Sequence, residues 1–260
     1  MSKPVHISVV ITVKNEARNM EDLLDSLVVQ EQPFDVWIID AASTDGTQDI
    51  VRRYQKKYPF IHLEQYAAQR GESRNRGIER CKGDAVAFID GDCIANPFWL
   101  HEMRAGLKNE DIVAGKTINL GYQPFVDLDR VELFYKDVDV TFPSCNLLYR
   151  KKVFDRIDGF DPRFITAEDI DLNVRAVDAG FGIFYNPRVI VYHRARSTFV
   201  AFFKQAFWNG YGRKQLTRKH GSMWGKYNPG DMLRHKMTEW YFIRLVVAML
   251  GYFSAKINRE

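Results

Sequence analysis

The chain has 260 residues, of which 46% are hydrophobic and 27% are charged. These values are typical of a globular protein with a full hydrophobic core, and they exclude a chain too polar to fold. The length allows one large α/β domain or two small ones. The three cysteines, Cys81, Cys93 and Cys145, are far apart and lack metal-ligand spacing. Their odd number favours a reducing compartment over a disulfide framework.

The formal net charge is only +4, but the charges are unevenly distributed along the chain. Residues 194–260 contain 13 Lys/Arg and 3 Asp/Glu, whereas the preceding residues contain 24 Lys/Arg and 30 Asp/Glu. A basic C-terminal quarter indicates an anionic partner, such as a membrane surface, a lipid phosphate or a nucleic acid. A solvated basic face is the alternative. Because no apolar leader with a cleavage site follows Met1–Pro4, we expect a cytoplasmic protein.

Apolar runs and helical repeats alternate over the first hundred residues. The predicted strands are Val5–Val13, Asp35–Asp40, Phe60–Glu64 and Asp84–Ile89, and the predicted helices are Asn19–Gln30, Gln48–Lys57 and Gly71–Cys81. This alternation predicts a parallel, doubly wound sheet with right-handed crossovers. The predicted fold class is therefore α/β, with a mostly parallel central sheet and helices on both faces.

The pattern loosens after Asp92. We predict helices at Pro97–Leu107 and Ala167–Ala179, and strands at Ile112–Leu120, Ser144–Tyr149, Ile183–Tyr185 and Val189–His193. From Ser197 onward the sequence is typical of aromatic helices. Since no linker or repeat interrupts the chain, we expect a domain at residues 1–195 followed by a basic, aromatic helical region at residues 196–260.

An apolar run at Trp240–Phe253 contains Arg244 and has about 14 residues, short of the roughly 20 needed to span a bilayer. Its aromatic residues and the nearby cations fit a helix that lies in the membrane interface. Packing in a core or in a dimer interface is the alternative. The aromatic side chains between Phe199 and Tyr211 leave a similar choice: they fit a buried helix face or an apolar wall for a lipid-linked acceptor.

Two carboxylates one residue apart follow the predicted strand Asp84–Ile89. Asp90 and Asp92 would lie at the carboxyl end of a parallel strand, where open α/β sheets bind ligands. Carboxylate oxygens suit a hard cation, Mg²⁺ or Mn²⁺, and such a cation usually accompanies a diphosphate. For the tripeptide Asp90-Gly91-Asp92 taken by itself, an ordinary polar turn is the alternative.

Further polar segments follow the other strands on the same predicted edge. The segment from Thr12 to Glu16 offers polar side chains to a base and a ribose, and Asp40 offers a carboxylate to a nucleoside. Arg70 and Arg74 lie near a helix N-terminus, which is a natural site for a diphosphate. A basic, solvated helix is the alternative for these two arginines.

Acidic residues also mark two helix starts. Asp45 and Thr47 precede a predicted helix and favour a capping role. Glu168 and Asp169 begin a later helix, where the helix dipole favours carboxylates in any case. A carboxylate that faces a metal-bound diphosphate is also what a nucleophilic hydroxyl needs as its general base.

The four strand-end segments and the Glu168-Asp169 pair, taken in this order, resemble the family 2 glycosyltransferases, which have the GT-A fold. The resemblance extends over about residues 5–215. It implies that the donor is a nucleotide-sugar, either a UDP- or a GDP-sugar. By the same resemblance, Thr12, Glu16 and Asp40 would contact the nucleoside, and Arg74, with Arg70, would lie near the diphosphate.

The resemblance also implies a metal site and a catalytic base. Asp90 and Asp92 would form the metal-binding pair, with Asp92 as the direct ligand of Mn²⁺ or Mg²⁺. Some GT-A enzymes complete this site with a late histidine, which here would be His193; a structural histidine is the alternative. Asp169 would be the catalytic base of an inverting sugar transfer.

Two positions depart from the family pattern. Many members carry two aspartates after the second strand, and here the second position is Ala41, which leaves the nucleobase open. The Gln-x-x-Arg-Trp signature of processive members is incomplete in Gln205-Ala206-Phe207-Trp208, which favours transfer of a single sugar. The expected acceptor is a glycan, either polyprenyl-phosphate-linked or on the cell surface. We expect peripheral contact with the inner face of the cell membrane.

Two other classes of protein fit parts of the sequence. A sugar nucleotidyltransferase would share the fold and the metal, but it would need a glycine-rich loop after the first strand, and the segment from Thr12 to Glu16 has no glycine. A nucleic-acid-binding module would explain the basic C-terminal quarter but not the carboxylates at the sheet edge. We therefore expect no nucleic-acid partner.

Overall fold

A computed structural model of the protein describes residues 3–122, 126, 128, 130–194, 198–222 and 239–255. Within these residues the strands are β1 (Ile7–Val13), β2 (Phe34–Asp40), β3 (Ile61–Gln65), β4 (Ala85–Phe88), β5 (Cys93–Ala95), β6 (Ile112–Leu120), β7 (Phe134–Tyr135), β8 (Val138–Asp139), β9 (Leu147–Arg150) and β10 (Ile183–Arg194). The helices are α1 (Ala17–Val28), α2 (Thr47–Lys57), α3 (Arg70–Arg80), α4 (Trp99–Gly106), α5 (Lys151–Ile157), α6 (Glu168–Asp178), α7 (Phe199–His220) and α8 (Glu239–Ser254).

Eight strands form one sheet in the order β3-β2-β1-β4-β9-β6-β10-β5, and β7 pairs with β8 in a separate hairpin. The first half of the sheet is parallel, with β1 between β2 and β4 and with β3 next to β2. In the second half β9 is antiparallel to β4 and β6, and β5 is antiparallel to β10. The structure confirms the predicted α/β class. The four strands β1 to β4 are parallel as predicted, and the complete sheet is mixed.

Helices cover both faces of this sheet, and alternate residues of β1 face the two layers. Val9 and Ile11 pack in a cluster that includes Leu27 of α1, whereas Val10 packs in a second cluster that includes Leu172 of α6. Truncating one of these buried side chains to alanine typically costs about 2–5 kcal/mol of stability. The core therefore fixes the strand ends that carry the polar segments.

Several predicted boundaries differ from the structure for identifiable reasons. The two strands predicted around residues 183–193 are one strand, β10, with an irregularity between Asn186 and Ile190. Pro187 lies in this interval, and proline cannot donate a hydrogen bond to the ladder. Ser144–Asn146 form a 3-10 turn rather than the start of β9. The sequence analysis missed β5, α5 and the hairpin, which are too short to show a periodic pattern.

The two C-terminal helices lie side by side and in parallel. Phe199 stacks on Trp240 with ring centroids 5.3 Å apart at one end, and Lys214 lies over the Tyr252 ring at 4.7 Å further along. A Cβ added to Gly210 would lie 1.7 Å from the Ala248 carbonyl oxygen, so only glycine permits this close approach. Among the described residues, no helix is both long and apolar enough to cross a membrane.

The second half of α7 packs against the rest of the protein. Leu216 is buried in a cluster with Phe164, Val174 and other apolar side chains. Arg213 donates a hydrogen bond to the carbonyl of Val131, with a distance of 3.3 Å. The division into a domain at residues 1–195 and a helical region at residues 196–260 stays a prediction. Contacts such as these join the two parts.

Candidate active site

Hydrogen bonds join the polar segments that follow β1 and β2. The Glu16 amide donates to Thr47 Oγ1 at 2.9 Å, and the Ala17 amide donates to Asp45 Oδ2, also at 2.9 Å. Asp45 Oδ1 also accepts a hydrogen bond from the Thr47 amide at 3.1 Å. The predicted capping role is wrong, because the N-cap of α2 is Gly46 and has no side-chain cap hydrogen bond. Asp45 and Thr47 instead fix the starts of α1 and α2 relative to each other.

Asp40 is fully buried at the end of β2. Its Oδ2 accepts hydrogen bonds from the Ser43 amide at 3.0 Å and from Gln48 Nε2 at 2.7 Å. Its Oδ1 is buried and has no hydrogen-bond partner among the described residues. Because an unsatisfied buried acceptor costs about 1–3 kcal/mol, a donor group of a ligand would be stabilised there.

A cleft of about 420 Å³ lies beside Asp40. Its walls are formed by Ala42, Ser43, Thr44, Gln48, Gln65, Tyr66 and Ala67. The Tyr66 amide donates to the Asp40 carbonyl at 2.9 Å, which ties this wall to the end of β2. The sequence analysis did not single out Gln65 or Tyr66, although Gln65 ends β3 and the strand-end rule applies to it. Thr12 is half-buried near the end of β1, opposite Ile39, and is not part of the cleft walls.

Arg74 joins the loop after β4 to the start of α6. Its side chain is only 2% exposed. Nη2 donates to Asp90 Oδ1 at 3.0 Å and Nη1 donates to Glu168 Oε1 at 2.6 Å. Its guanidinium also lies 5.4 Å from the centroid of the Phe160 ring. Arg74 is thus near the site but engaged with two carboxylates, rather than directed at solvent.

Arg70 lies one helical turn earlier on α3 and is more accessible. Its side chain is 54% exposed, and its Nη1 is 3.8 Å from Glu168 Oε1. Together with Arg74, it lowers the pKa of Asp90, which burial alone would raise. Of the two predicted diphosphate-binding arginines, only Arg70 presents a guanidinium to the surface.

Asp92 and His193 come together where β5 pairs with β10. Asp92 Oδ2 is 3.5 Å from His193 Nε2, and His193 Nδ1 is 3.1 Å from Asn119 Oδ1. Burial lowers the pKa of His193, but the hydrogen bond and charge of Asp92 raise it to about 9. The Arg194 amide also donates to the Asp92 carbonyl at 3.0 Å.

Cys93 adds a third possible ligand to this pair. The side-chain ligand atoms of Asp92, Cys93 and His193 all lie within 4.8 Å of one another. The sequence analysis found no metal-ligand spacing around the cysteines, because Cys93 and His193 are a hundred residues apart and meet only through the antiparallel pairing of β5 with β10. All three cysteines are buried free thiols.

Glu16 lies beside the loop after β4. A Cβ added to Gly91 would come within 3.0 Å of Glu16 Cγ. Burial raises the pKa of the Glu16 carboxyl, and the charges of Asp92 and Asp90 add to this effect. The structure thus brings Glu16 to the two aspartates of the Asp-Gly-Asp loop; it does not form part of the cleft beside Asp40.

Asp169 is held at the start of α6 by backbone amides. Its Oδ2 accepts a hydrogen bond from the Ser144 amide at 3.1 Å and its Oδ1 accepts one from the Ile170 amide at 2.9 Å. Burial raises its pKa, and the neighbouring charge of Glu168 raises it further, against the lowering effect of Arg74. A carboxyl group with a raised pKa is a better proton acceptor when ionised.

A second ionic network, which the sequence analysis missed, connects α7 to α6. Lys219 Nζ lies 2.6 Å from Asp161 Oδ2 and 2.7 Å from Asp171 Oδ1, and His220 Nε2 lies 2.7 Å from the same Asp171 oxygen. Arg175 also pairs with Asp171, at 2.9 Å. The i,i+4 spacing of Asp171 and Arg175 was the only sequence signal of this network.

The same helix also contacts the loop before α6. A Cβ added to Gly212 would lie 2.7 Å from Thr166 Cγ2 and 2.9 Å from the Ala167 Cβ. Ala167 adopts a left-handed conformation, with a φ of 61°, immediately before Glu168. The helix α7 therefore packs directly against the turn that presents Glu168 and Asp169.

Comparisons with known proteins identify the family of the chain. Residues 8–158 match the profile of the family described as "Glycosyl transferase family 2", and residues 128–212 match that described as "Glycosyltransferase like family 2". The fold is thus that of a glycosyltransferase with the GT-A fold. The chain belongs to the family 2 glycosyltransferases.

Two archaeal proteins are similar over most of the chain. The glycosyltransferase AglE of Haloferax volcanii is 30% identical over 226 residues, which cover 81% of this chain and 73% of that protein. A Methanococcus voltae enzyme named dolichyl N-acetyl-alpha-D-glucosaminyl phosphate 3-beta-D-2,3-diacetamido-2,3-dideoxy-beta-D-glucuronosyltransferase is 24% identical over 241 residues, with 82% and 74% covered.

Solved structures show the same fold. The mannosyltransferase PcManGT from Pyrobaculum calidifontis, in complex with GDP-Man and Mn²⁺, superimposes with a TM-score of 0.65 at 17% identity, over 98% of this chain and 76% of that one. TarS of S. aureus, in complex with UDP-GlcNAc, superimposes with a TM-score of 0.62 at 19% identity, over 95% and 81%. At these identities the similarity establishes the fold.

Proposed function

We propose that this protein is an inverting, metal-dependent hexosyltransferase that moves a single sugar from a UDP- or GDP-sugar to an acceptor hydroxyl. The observation that carries the proposal is the placement of Arg74, which connects Asp90 of the Asp-Gly-Asp loop to Glu168, the neighbour of Asp169. A donor diphosphate on the loop and a base on α6 would then be held by one buried network. In-line displacement needs this fixed separation between base and leaving group.

The nucleoside of the donor is proposed to bind in the cleft beside Asp40. The buried Oδ1 of Asp40 can accept a hydrogen bond from a ribose hydroxyl or a base N–H, and Gln48 and Tyr66 line the same cleft. Thr12 and Glu16, which do not line this cleft, are proposed to contact the part of the nucleoside that faces β1. The relatives of known structure bind UDP-GlcNAc and GDP-Man, so both nucleobases are candidates.

The diphosphate is proposed to lie between Arg70 and the Asp-Gly-Asp loop. Arg70 is exposed enough to form charge-assisted hydrogen bonds with phosphate oxygens. Arg74 is proposed to act near the diphosphate by keeping Asp90 ionised and in place, since both of its terminal nitrogens are already engaged.

The residues present fit a divalent cation. Asp92 and His193 are proposed as its ligands, with Asp90 as the second member of the aspartate pair, and Asn119 orients the imidazole. A carboxylate with an imidazole suits Mn²⁺ at least as well as Mg²⁺. When bound, the cation would neutralise charge on the nucleoside diphosphate leaving group.

Asp169 is proposed as the catalytic base. The acceptor hydroxyl attacks the anomeric carbon from the face opposite the diphosphate, and the bond from that carbon to the diphosphate oxygen breaks. The proton of the hydroxyl passes to Asp169, and the nucleoside diphosphate leaves as an anion. The amides of Ser144 and Ile170 keep the carboxylate in one orientation for this transfer.

The acceptor is proposed to be a glycan carried on a polyprenyl phosphate. The Methanococcus voltae relative is named for a dolichyl phosphate-linked sugar acceptor, and the C-terminal quarter of this chain is basic. We propose that residues 1–195 form the donor-binding and catalytic domain, that residues 196–260 contribute to acceptor binding, and that the protein contacts the inner face of the cell membrane peripherally.

A donor panel tests this proposal. UDP- and GDP-sugars are titrated with and without Mn²⁺, and the melting temperature is followed, since a ligand of the native state stabilises it by RT ln(1 + [L]/Kd). We expect one nucleotide-sugar to stabilise the protein, and more so with Mn²⁺. With that donor, NMR of the first product should show an inverted anomeric centre. Equal donor affinity with and without Mn²⁺ would contradict the metal site, and a retained anomer would contradict the single displacement.

A further inference from the structure

The outer surface of α8 carries an apolar stripe. Its members recur every three or four residues and are between 40% and 76% exposed: Phe242, Leu245, Val246, Met249, Leu250 and Phe253. These six residues are called the apolar face below. The opposite side of α8 packs on α7, where Gly251 approaches the Phe207 carbonyl so closely that an added Cβ would lie 1.9 Å from it. An exposed apolar stripe of this length is unusual for a surface that meets only water.

The first turns of α7 extend this surface. Val200 is 78% exposed and Phe203 is 40% exposed, and the stacking of Phe199 on Trp240 places this end of α7 beside the first turn of α8. Because the two helices are parallel and closely packed, the exposed apolar residues in the first turns of α7 lie near the first turn of α8.

Positive charge accompanies this surface. The helix α7 contains five Lys/Arg and no Asp/Glu. Lys204 is exposed directly after Phe203 and Lys214 lies over the Tyr252 ring of α8, whereas Lys219 is paired with Asp161 and Asp171. An apolar stripe on a helix too short to span a bilayer, with cations on the adjoining helix, suits the interface of an anionic bilayer. A protein partner would have to be both acidic and apolar to match the same residues.

We infer that the apolar face of α8, with the first turns of α7, docks onto an anionic lipid bilayer and orients the active site toward it. The inference rests on the proposed function in one respect: docking would bring a lipid-linked acceptor to the site. The chain itself provides the connection: α7 begins five residues after Arg194, whose amide binds the Asp92 carbonyl.

The far end of α7 makes this orientation rigid. Gly212 packs on Thr166 and Ala167, and Lys219 pairs with Asp161 and Asp171. The same helix therefore contributes to the docking surface with its first turns and contacts the turn before Asp169 with its last ones. Docking would then fix the distance between the bilayer and the proposed base.

Vesicle flotation tests the inference. The full chain is mixed with phosphatidylcholine vesicles, or with the same vesicles containing phosphatidylglycerol, and the floating fraction is measured at low and high salt. We expect binding to the anionic vesicles that weakens with salt. The double variant Phe242→Asp/Leu250→Asp should reduce the vesicle-bound fraction about tenfold or more, because two apolar anchors are lost.

The matched control is Val29→Asp/Phe98→Asp, which adds the same charge at apolar residues that are 63% and 67% exposed elsewhere. It should float like the wild type. Wild-type protein that does not float, or a control that fails equally, would overturn the inference. So would a stable dimer in light scattering that the α8 variant makes monomeric without any lipid binding.

Hydrolysis of the selected nucleotide-sugar in solution separates this inference from the proposed function. The α8 variant should keep the hydrolysis rate of the wild type, because this reaction uses water in place of the lipid-linked acceptor. An unchanged rate also shows that the variant is folded. Hydrolysis without flotation would refute the docking surface alone. Flotation without any nucleotide-sugar binding would refute the proposed function alone.

Discussion

Asp169 and Glu168 are adjacent in the chain but have different surroundings. Glu168 is buried and paired with Arg74, whereas Asp169 is half-buried and bound by two backbone amides. The paired carboxylate cannot leave its partner without exposing a buried charge. This difference supports the proposal that Asp169, rather than Glu168, is the base.

Replacing Asp169 by asparagine should abolish sugar transfer while leaving donor binding nearly unchanged, because the amide has the same shape but cannot accept the proton at this step. Transfer rate and donor affinity are measured on the same preparation. Asp178→Asn, at the far end of α6, is the matched control and should stay active. Full transfer activity in Asp169→Asn would exclude this residue as the base.

The raised pKa of Asp169 predicts the acid side of the pH profile. The ionised carboxylate is the active form, so kcat/KM should fall as the pH drops through this raised pKa, above the usual range of about 3.9 for aspartate. Glu168→Gln removes the neighbouring negative charge and should move this fall to lower pH. A profile that does not respond to Glu168→Gln would argue against Asp169 as the titrating group.

The two arginines of α3 should respond differently to removal. Arg74→Met leaves Asp90 without this partner and Glu168 with only Arg70, 3.8 Å away, and breaking a buried pair costs about 3–5 kcal/mol of unfolding free energy. Arg70→Met, at an exposed position, should change stability by about 1 kcal/mol or less and weaken nucleoside diphosphate binding about tenfold. Urea unfolding and calorimetry measure the two effects. If instead Arg74→Met weakened nucleoside diphosphate binding and Arg70→Met lowered stability, the proposed roles of the two arginines would be exchanged.

At the scale of elements, α7 holds the start of α6 in place. Lys219 and His220 both pair with Asp171, which is fully buried, and Lys219 also reaches Asp161. Hydrogen bonds and cationic neighbours lower the pKa values of Asp161 and Asp171, although burial alone would raise them. The helix that follows the sheet in the chain thus stabilises the turn that carries the proposed base.

Lys219→Met should lower the unfolding free energy by about 2 kcal/mol at neutral pH, since Arg175 and His220 still pair with Asp171. The pKa values of Asp161 and Asp171 are lowered in the folded state, so their stabilising effect is present above the usual aspartate pKa and is lost as the pH falls. Urea unfolding from neutral to acid pH should therefore show the difference between wild type and variant shrinking toward low pH. A difference that is independent of pH would mean that Lys219 stabilises the fold through packing alone.

At the scale of the whole molecule, the two halves of the sheet contribute different residues to the proposed site. The parallel half supplies Asp40 and the Asp-Gly-Asp loop from the carboxyl ends of β2 and β4, the two strands that flank β1. The mixed half supplies Asn119 and His193 from β6 and β10, and α6 supplies Asp169. The helices α7 and α8 then extend from the mixed half with an exposed apolar face, whose membrane docking is tested by flotation.

The sequence by itself determined the parallel half and the strand-end residues. Strand and helix patterns there are long, and the chain order of β1 to β4 requires right-handed crossovers that place Asp40, Asp90 and Asp92 at one edge. Family 2 membership was also predicted from the residues and is confirmed. Local patterns suffice for these features because each depends on residues that are near one another in the chain.

Only the tertiary structure decided which polar groups meet. Arg74 pairs with Glu168 across 94 residues, and Cys93 lies opposite His193 only because the short strand β5 pairs antiparallel with β10. Neither contact leaves a periodic signal, since each depends on the packing of elements that are distant in the chain. Burial also distinguishes Arg70 from Arg74. The two side chains have the same chemistry, but Arg74 is buried against Glu168 of α6, whereas Arg70 remains accessible.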